Sequence, residues 1–276
     1  MSDLVLVELR TAEPLTDVRF LFRPDLVPVF AIGFCIYFSA LGSQVAVATL
    51  LELPGHLLGY GFSLTPWHFS LYFALVVAEA DAAGLAVMAH AQATDGIKAA
   101  IRTGIRSIEH GIYLDEEAVE MMLEAGTWLV PTLSAPRAVL DAVDAGASLP
   151  PAVIAKAHEV IDAHQASFAM PAAAGVKIAM GTDSGVGPHG SNLTELALMA
   201  RGGMTPSEVL VATTSAAAEL MGLGDQLGRI APGLRADLVV VNGDPYDFDQ
   251  LRSNIRLVYQ DGQLAASSPK EETAAD

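Results

Sequence analysis

Residues 84–111 constrain the fold most, because they predict two parallel strands joined by one helix. LAVMAH ends at His90 and RSIEH ends at His110, with an amphipathic segment from Thr94 to Thr103 between them. Gly104 follows this segment, where a helix end needs a residue with positive φ. Parallel strands require such a crossover connection. Both histidines are therefore expected at the carboxyl ends of their strands, where α/β folds gather their chemistry.

Composition excludes some classes of function. The 276 residues carry a formal net charge of −17, which argues against nucleic acid as a partner because phosphate binding needs a cationic surface. Cys35 is the single cysteine of the sequence, so neither an internal disulfide nor a cysteine-based metal site can form within it. This usage fits a reducing compartment, and a cytoplasmic location is the expectation.

The amino-terminal residues 1–69 differ in composition from the rest. Residues 26–51 contain no Asp, Glu, Lys or Arg, and an apolar run of about 18 residues or more can span a bilayer. Arg19 and Arg23 precede the run and would favour a cytoplasmic amino terminus, whereas Pro28 interrupts it. Two interpretations stay open for residues 26–51. They form either a membrane segment, which would make the protein membrane-associated, or a buried hydrophobic region.

From Ser70 onward the sequence alternates between predicted helices and strands. Strands are expected in TWLVPT and VKIAMGTDSG, and helices near residues 70–83, 115–126, 150–174, 192–201 and 205–221. Thr205, Pro206 and Glu208 predict a capping box with proline at the first helical position. Short strands with turn signals follow in ADLVVVNGDP and IRLVYQDGQ. The predicted parts are a hydrophobic segment at 1–69, an α/β body at 70–223, a small β element at 224–266 and a disordered tail at 267–276.

Three side chains that could carry chemistry fall at predicted strand ends. They are His90, His110 and Asp183, the last in the turn GTDSG. Neutral imidazole and carboxylate groups together suit zinc, iron or manganese, and a barrel collects such ligands from several strand ends. Near a metal, the aspartate could also take a proton from bound water. The alternative for Asp183 is a turn residue that caps a helix.

Five sequence blocks occur in a specific order and spacing. They are AVMAHAQATDGIKAAIRTGIRSIEHG, LVPT, GVKIAMGTDSG, HGSNLTELALMARGGMTPSEVLVATTSAAAELMGL and LGRIAPGLRADLVVVNGDP. Through these blocks, roughly the last two thirds of the chain resembles the metal-dependent amidohydrolase superfamily. Within it, the branch of imidazolonepropionase-like and Xaa-Pro or Xaa-Arg dipeptidase-like enzymes is the most similar. The resemblance implies an α/β fold, namely a partial TIM-type (β/α) barrel with strands five to eight and a β-sandwich remnant beside it.

The resemblance also implies roles for individual residues. His90 matches the metal-binding histidine of barrel strand five and His110 that of strand six, while Asp183 matches the strand-eight aspartate that binds metal and activates water. His189 matches a position near the substrate. Gln92 falls where relatives often carry a His or Tyr that faces the pocket. A divalent metal, zinc before iron or manganese, is the implied cofactor.

The chain departs from the family pattern in its first part. The family opens with a His-x-His pair on strand one, and its binuclear members carry a bridging lysine on strand four. This sequence contains no His-x-His, and its first lysine is Lys98. Strands one to four are therefore not recognisable, and the hydrophobic segment 1–69 stands where they are expected.

The expected function is hydrolysis of a carbon–nitrogen bond through metal-activated water. The substrate would be a small amide, a cyclic amide or a dipeptide-like molecule. The alternative is a catalytically inactive, truncated or fused amidohydrolase fragment, stabilised by homo-oligomerisation or by packing against its hydrophobic segment.

Overall fold

The computed structural model describes residues 66–268. The candidate membrane segment 26–51 lies outside the described residues, as does the hydrophobic segment 1–69 except for its last four positions. No helix within residues 66–268 has the length and apolarity needed to cross a bilayer. The residues that build the two sheets all belong to the unit Ser70–Asp276.

Helices and strands alternate through the first part of the described chain, and short strands close it. In chain order the elements are α1 Pro66–Ala82, β1 Met88–Ala91, α2 Thr94–Arg102, β2 Ser107–His110, α3 Glu116–Ala125, β3 Trp128–Val130, α4 Ser134–Asp144, α5 Pro151–Ala174, α6 Thr194–Arg201, α7 Pro206–Thr213, α8 Ser215–Leu220, β4 Leu238–Val241, α9 Leu251–Asn254, β5 Ile255–Gln260 and β6 Gln263–Ser267.

The first sheet is parallel, with strand order β1-β2-β3. Its register aligns His90 with Glu109 and Ala91 with His110. The connections through α2 and α3 make two successive βαβ units, so the α/β class predicted from the sequence is confirmed. The carboxyl ends of the three strands lie at one edge of the sheet.

The predicted fourth strand, VKIAMGTDSG, does not form a regular strand among the described residues. It contributes one isolated parallel bridge to the sheet, between Leu129 and Ile178, and its Ser184 forms another isolated bridge with Gly187. Leu129 exchanges hydrogen bonds with Lys177 and Ala179 on either side of that bridge. The next amide, Met180 N, donates instead to Ala212 O of α7. The hydrogen bond to helix α7 thus ends the strand pairing at the point where a longer ladder would continue.

Most helix ends lie where the sequence predicts them. Asp115 caps α3, since its Oδ1 accepts a hydrogen bond from Ala118 N at 2.8 Å, and Gly126 ends α3 with φ 68°. Thr205 and Glu208 form the predicted capping box of α7. The single helix expected at 205–221 is instead divided at Thr214, which lies between α7 and α8 with φ −121° and ψ −89°.

The hydrophobic core lies between the parallel sheet and the helices that cover it. Its most deeply buried members come from β2, β3 and helices α2, α3, α5, α6 and α7: Ile97, Ile108, Met122, Leu129, Phe168, Leu196, Met199 and Val209. Burial increases across the sheet. Strand β1 has exposed positions, whereas every residue of β2 and β3 is buried. Because β2 and β3 are tightly packed, the residues at their carboxyl ends are held in place.

The second sheet is antiparallel, with strand order β4-β5-β6. Strands β5 and β6 are joined by the predicted Asp261-Gly262 turn, whose residues have φ 51° and 74° as a tight hairpin turn requires. Ser267 ends β6. The predicted disordered tail lies outside the described residues from position 269 onward.

Lys98 ties α2 to the start of α3. Its Nζ donates to Asp115 Oδ2 at 2.7 Å and to Glu117 Oε2 at 2.6 Å. The hydrogen bond from Lys98 holds the pKa of the Asp115 carboxyl below its ordinary value of 3.8. A carboxyl with a lowered pKa stabilises the folded state above that ordinary value and loses this contribution as pH falls through the lowered pKa.

Asp115→Ala should lower the free energy of unfolding at neutral pH by about 1–2 kcal/mol, because α3 loses its cap and Lys98 loses a partner. The difference from the unchanged protein should shrink as pH falls below 3.8. Urea unfolding at a series of pH values measures this. Glu120→Ala, at an exposed position of the same helix, is the control. A difference that stays constant down to pH 2 would contradict the assignment.

Candidate metal centre

The carboxyl edge of the parallel sheet collects most of the residues proposed from the sequence. His90 lies next to the end of β1, and His110 ends β2. Thr132 follows β3 by two positions, and Asp183 follows the bridge at Ile178 by five. In a parallel sheet these ends face the same side, which is why residues far apart in sequence meet here.

Three of these residues have the left-handed backbone conformation. Among the described residues, the non-glycine residues with positive φ are His110 at 75°, Thr132 at 50°, Asp183 at 51° and Asp261 at 51°. Asp261 lies in a hairpin turn, and the other three lie at or shortly after the points where the chain leaves the parallel sheet. Such conformations cost on the order of 1–3 kcal/mol each and gather at functional sites. Strained backbone conformations are therefore concentrated at the carboxyl edge of the parallel sheet.

The left-handed conformation of His110 brings its ring to His90. The register pairs His90 with Glu109, so His110 would by alternation point to the opposite face of the sheet. Instead, His110 Nε2 lies 2.9 Å from His90 Nδ1. The ring centroids are 5.0 Å apart and the planes are inclined by 33°. The two histidines that the sequence placed at strand ends thus meet through their ring nitrogens.

The other ring nitrogen of His110 is fixed by Thr132. Thr132 Oγ1 lies 2.6 Å from His110 Nδ1, and both side chains are buried. A hydroxyl can accept a hydrogen bond, so the contact suits a proton on Nδ1 and leaves the Nε2 lone pair facing His90. Burial lowers the pKa of His110 below its ordinary value of 6.5; His90 adds to this effect and Asp183 opposes it. The neutral ring is the form that binds a metal.

The paired histidines are side chains of a type that binds divalent metals, but two ligands alone do not complete a metal site. Two imidazole nitrogens on one tetrahedral zinc, at about 2.0–2.1 Å each, lie roughly 3.4 Å apart. The 2.9 Å between His90 and His110 would widen by about 0.5 Å on that basis. In the range 66–268, no group of three or more His, Cys, Asp or Glu side chains is arranged to hold an ion. The described donor set is therefore a half-site.

A cavity of about 510 Å³ opens beside His110. Gln92 and Asp183 also line it; the roles expected for both stay predictions. Apolar side chains from α4, α5 and two loops form most of the remaining wall: Ile112, Ala135, Pro136, Val139, Ala152, Val153, Ala157, Val160 and Val186. His189 is exposed in the loop before α6 and does not line this cavity; its role at the substrate stays a prediction.

Glu109 is buried beside the paired histidines. It is 8% exposed, and its Oε1 accepts a hydrogen bond from Ser107 Oγ at 2.7 Å. Burial raises the pKa of this carboxyl above its ordinary value of 4.5; the Ser107 hydrogen bond and His90 oppose that effect, and Asp183 supports it. Glu109 is thus a second carboxyl group near the paired histidines, in addition to Asp183.

Two further residues of the site carry no clear signal in the sequence. Glu195 is fully buried, and its oxygens accept hydrogen bonds from Leu133 N at 2.7 Å and Ser134 N at 2.8 Å, which fixes the turn after Thr132. His164 is buried, and its Nε2 lies 2.9 Å from His110 O. For Glu195, the only hint in the sequence is that it is a single glutamate within the apolar stretch of α6.

Gly111 extends the left-handed turn of His110. Its φ is 62°, and a Cβ placed there would lie 2.7 Å from Leu129 Cδ1 and 3.2 Å from Leu114 Cδ1. Gly104 has φ 84° but no atom within 4 Å of such a Cβ. The two glycines therefore share a backbone requirement and differ in crowding.

Gly104→Ala should lower the free energy of unfolding by about 1–2 kcal/mol, the cost of an L-residue in the left-handed region. Gly111→Ala should cost that and more, since Leu129 must also move. Chemical denaturation of both variants measures the difference. Equal losses would contradict the crowding that the structure places at Gly111.

Comparison with known proteins shows which family this chain is similar to. Residues 65–267 match the family model described as "Amidohydrolase family". The chain is 35% identical over 175 residues to ochratoxinase of Aspergillus niger, which covers 63% of this chain and 36% of that protein. It is 37% identical over 165 residues to imidazolonepropionase of Paracoccus denitrificans, covering 57% of this chain and 35% of that protein.

Solved structures resemble the chain over a similar range. The crystal structure of a Xaa-Pro dipeptidase with bound methionine in its active site has a TM-score of 0.65 at 37% identity, covering 71% of this chain and 48% of the other. The crystal structure of A. niger ochratoxinase has a TM-score of 0.63 at 31% identity, covering 74% and 46%. This chain thus spans less than half the length of each of these proteins.

Proposed function

The chain belongs to the amidohydrolase family, and from that premise we propose that it hydrolyses a carbon–nitrogen bond of an amide, cyclic amide or dipeptide-like substrate. The observation that carries the proposal is the meeting of His90 Nδ1 and His110 Nε2 at 2.9 Å, beside a cavity that Asp183 also lines. We extend the proposal to the fold, in which residues 70–223 correspond to the second half of a (β/α) barrel and residues 224–266 to a β-sandwich remnant.

His90 and His110 would supply two ligands of a divalent ion, with zinc before iron or manganese, and Asp183 would supply a third by coming closer to them than it lies in the structure. Imidazole and carboxylate groups are the donors that catalytic zinc sites use. When bound, such an ion polarises a carbonyl group and lowers the pKa of water toward neutrality. The contact of Thr132 with the far nitrogen of His110 supports this role, because metal-binding histidines are oriented through that nitrogen.

Asp183 would move the proton of the reaction. Its carboxylate would take a proton from the attacking water as the new carbon–oxygen bond forms, and return it to the nitrogen as the carbon–nitrogen bond breaks. The exposed carboxylate next to the cavity supports this role. The left-handed backbone at Asp183 is the kind of strain that aims side chains at functional sites.

The cavity would hold the part of the substrate next to the scissile bond. Its volume of about 510 Å³ falls within the range of small-molecule sites, roughly 300–1,000 Å³. Its mostly apolar wall suits an aliphatic or aromatic group, and Gln92 supplies a donor and an acceptor at the same wall. His189 would approach the substrate from the loop before α6.

The proposal predicts that hydrolysis across a panel of amides, lactams and dipeptides depends on His110 and Asp183. Asp183→Asn should lower the rate by at least about 100-fold, because general acid–base catalysis contributes about that much or more. His110→Ala should lower both the rate and the zinc content of the purified protein. Rate assays and metal analysis measure these effects.

His158→Ala is the matched control, since His158 is an exposed histidine on α5. It should keep both the rate and the metal content. The proposal is wrong if the purified protein binds no divalent ion and hydrolyses no member of the panel, or if hydrolysis survives Asp183→Asn unchanged.

A further inference from the structure

Helix α5 presents one buried histidine to the paired histidines of the sheet edge. His164 is 2% exposed, and its Nε2 lies 2.9 Å from the backbone oxygen of His110. A carbonyl oxygen can only accept a hydrogen bond, so Nε2 must carry the proton. The other ring nitrogen, Nδ1, is buried without a hydrogen-bond partner among the described residues. The one geometrically well-formed hydrogen bond of this ring thus goes to the backbone oxygen of His110, and the carbonyl of Pro131 is a weaker electrostatic partner.

Apolar packing alone does not explain a histidine at this position. A buried ring nitrogen that makes no hydrogen bond destabilises the folded state, whereas an apolar side chain of similar size carries no such cost. The surroundings would suit an apolar residue, because Ile161 and Phe168 on the same helix are buried in the core. The hydrogen bond to His110 is the feature that an apolar residue would lose.

That hydrogen bond acts on the peptide that turns the His110 ring. His110 and Gly111 are both left-handed, with φ 75° and 62°. The peptide between them is held on both sides, since its oxygen accepts from His164 and its nitrogen donates to Ala91 O at 3.1 Å. Removing the bond from His164 frees one side of this peptide. The backbone of His110 could then return to the extended region, which would turn its ring away from His90.

We propose that His164 is a positioning residue that holds the His110–Gly111 peptide and thereby aims the His110 ring at His90. Its effect on an ion rests on the proposed function, because it requires His110 to be a metal ligand. Its effect on the contact between the two rings does not.

Ser167 provides a matched control on the same helix. It lies one turn beyond His164, it is 8% exposed, and its Oγ donates to Ile112 O at 2.7 Å. Ser167→Ala therefore removes a buried hydrogen bond from α5 to the same loop and leaves the His110 carbonyl bonded. His164→Gln keeps an N–H donor at a similar reach, and His164→Leu removes it.

The first test measures the ring contact in the metal-free, full-length protein with ¹³C-labelled histidine. A nuclear Overhauser effect between the rings of His90 and His110 is expected in the unchanged protein, in Ser167→Ala and in His164→Gln, and it should disappear in His164→Leu. If His164→Leu does not fold, His164→Asn takes its place, since its shorter amide does not reach the carbonyl. A ring contact that persists without the donor, or that is lost equally in Ser167→Ala, would overturn the proposal.

The second test measures zinc affinity by competition with a chelator. His164→Leu should bind zinc about 10-fold more weakly or worse, the usual effect of losing a group that orients a metal ligand, and His164→Gln should recover most of the affinity. Unchanged affinity in His164→Leu would overturn the role toward the ion. An unchanged protein that binds no divalent ion and hydrolyses no member of the panel would overturn the proposed function, and the ring contact would still test whether His164 positions His110.

Discussion

The geometry of the candidate site depends on one backbone conformation, the left-handed turn at the carboxyl end of β2. Alternation along the strand would place His110 on the face opposite His90, because the register pairs His90 with Glu109. The turn at His110 and Gly111 reverses this placement and brings the two ring nitrogens to 2.9 Å. The parallel sheet supplies the common edge, and the turn decides which side chains meet there.

Several elements hold this conformation against its cost. Strand β1 accepts a hydrogen bond from Gly111, helix α5 donates to the His110 carbonyl, and Thr132 contacts the far ring nitrogen. The turn at Thr132 is fixed in its own right by the buried Glu195 of α6. A strained residue persists only when its surroundings determine it more than once. The site geometry is therefore a property of the packed body as a whole.

What could be predicted from the sequence is what depends on short stretches of chain. Asp115 and Gly126 bound α3 through their own hydrogen bonds and φ, so local patterns located them. Helix α4 was not predicted, because no side chain close in sequence caps its start. The amides there donate instead to Glu195, which is 61 and 62 residues away in sequence. The contact of His164 could not be predicted for the same reason. Its partner is the backbone of a residue 54 positions earlier.

The burial of the strands indicates the side from which further ligands could approach the paired histidines. On the β2 side, Glu109, His110 and Thr132 are all buried. On the other side, β1 has one strand partner within the described residues, and His90 is exposed there. Barrels gather metal ligands from neighbouring strand ends. In the proposed site, a donor that completes the half-site would therefore reach it from the β1 side or from the loop of Asp183, which lines the cavity beside His110.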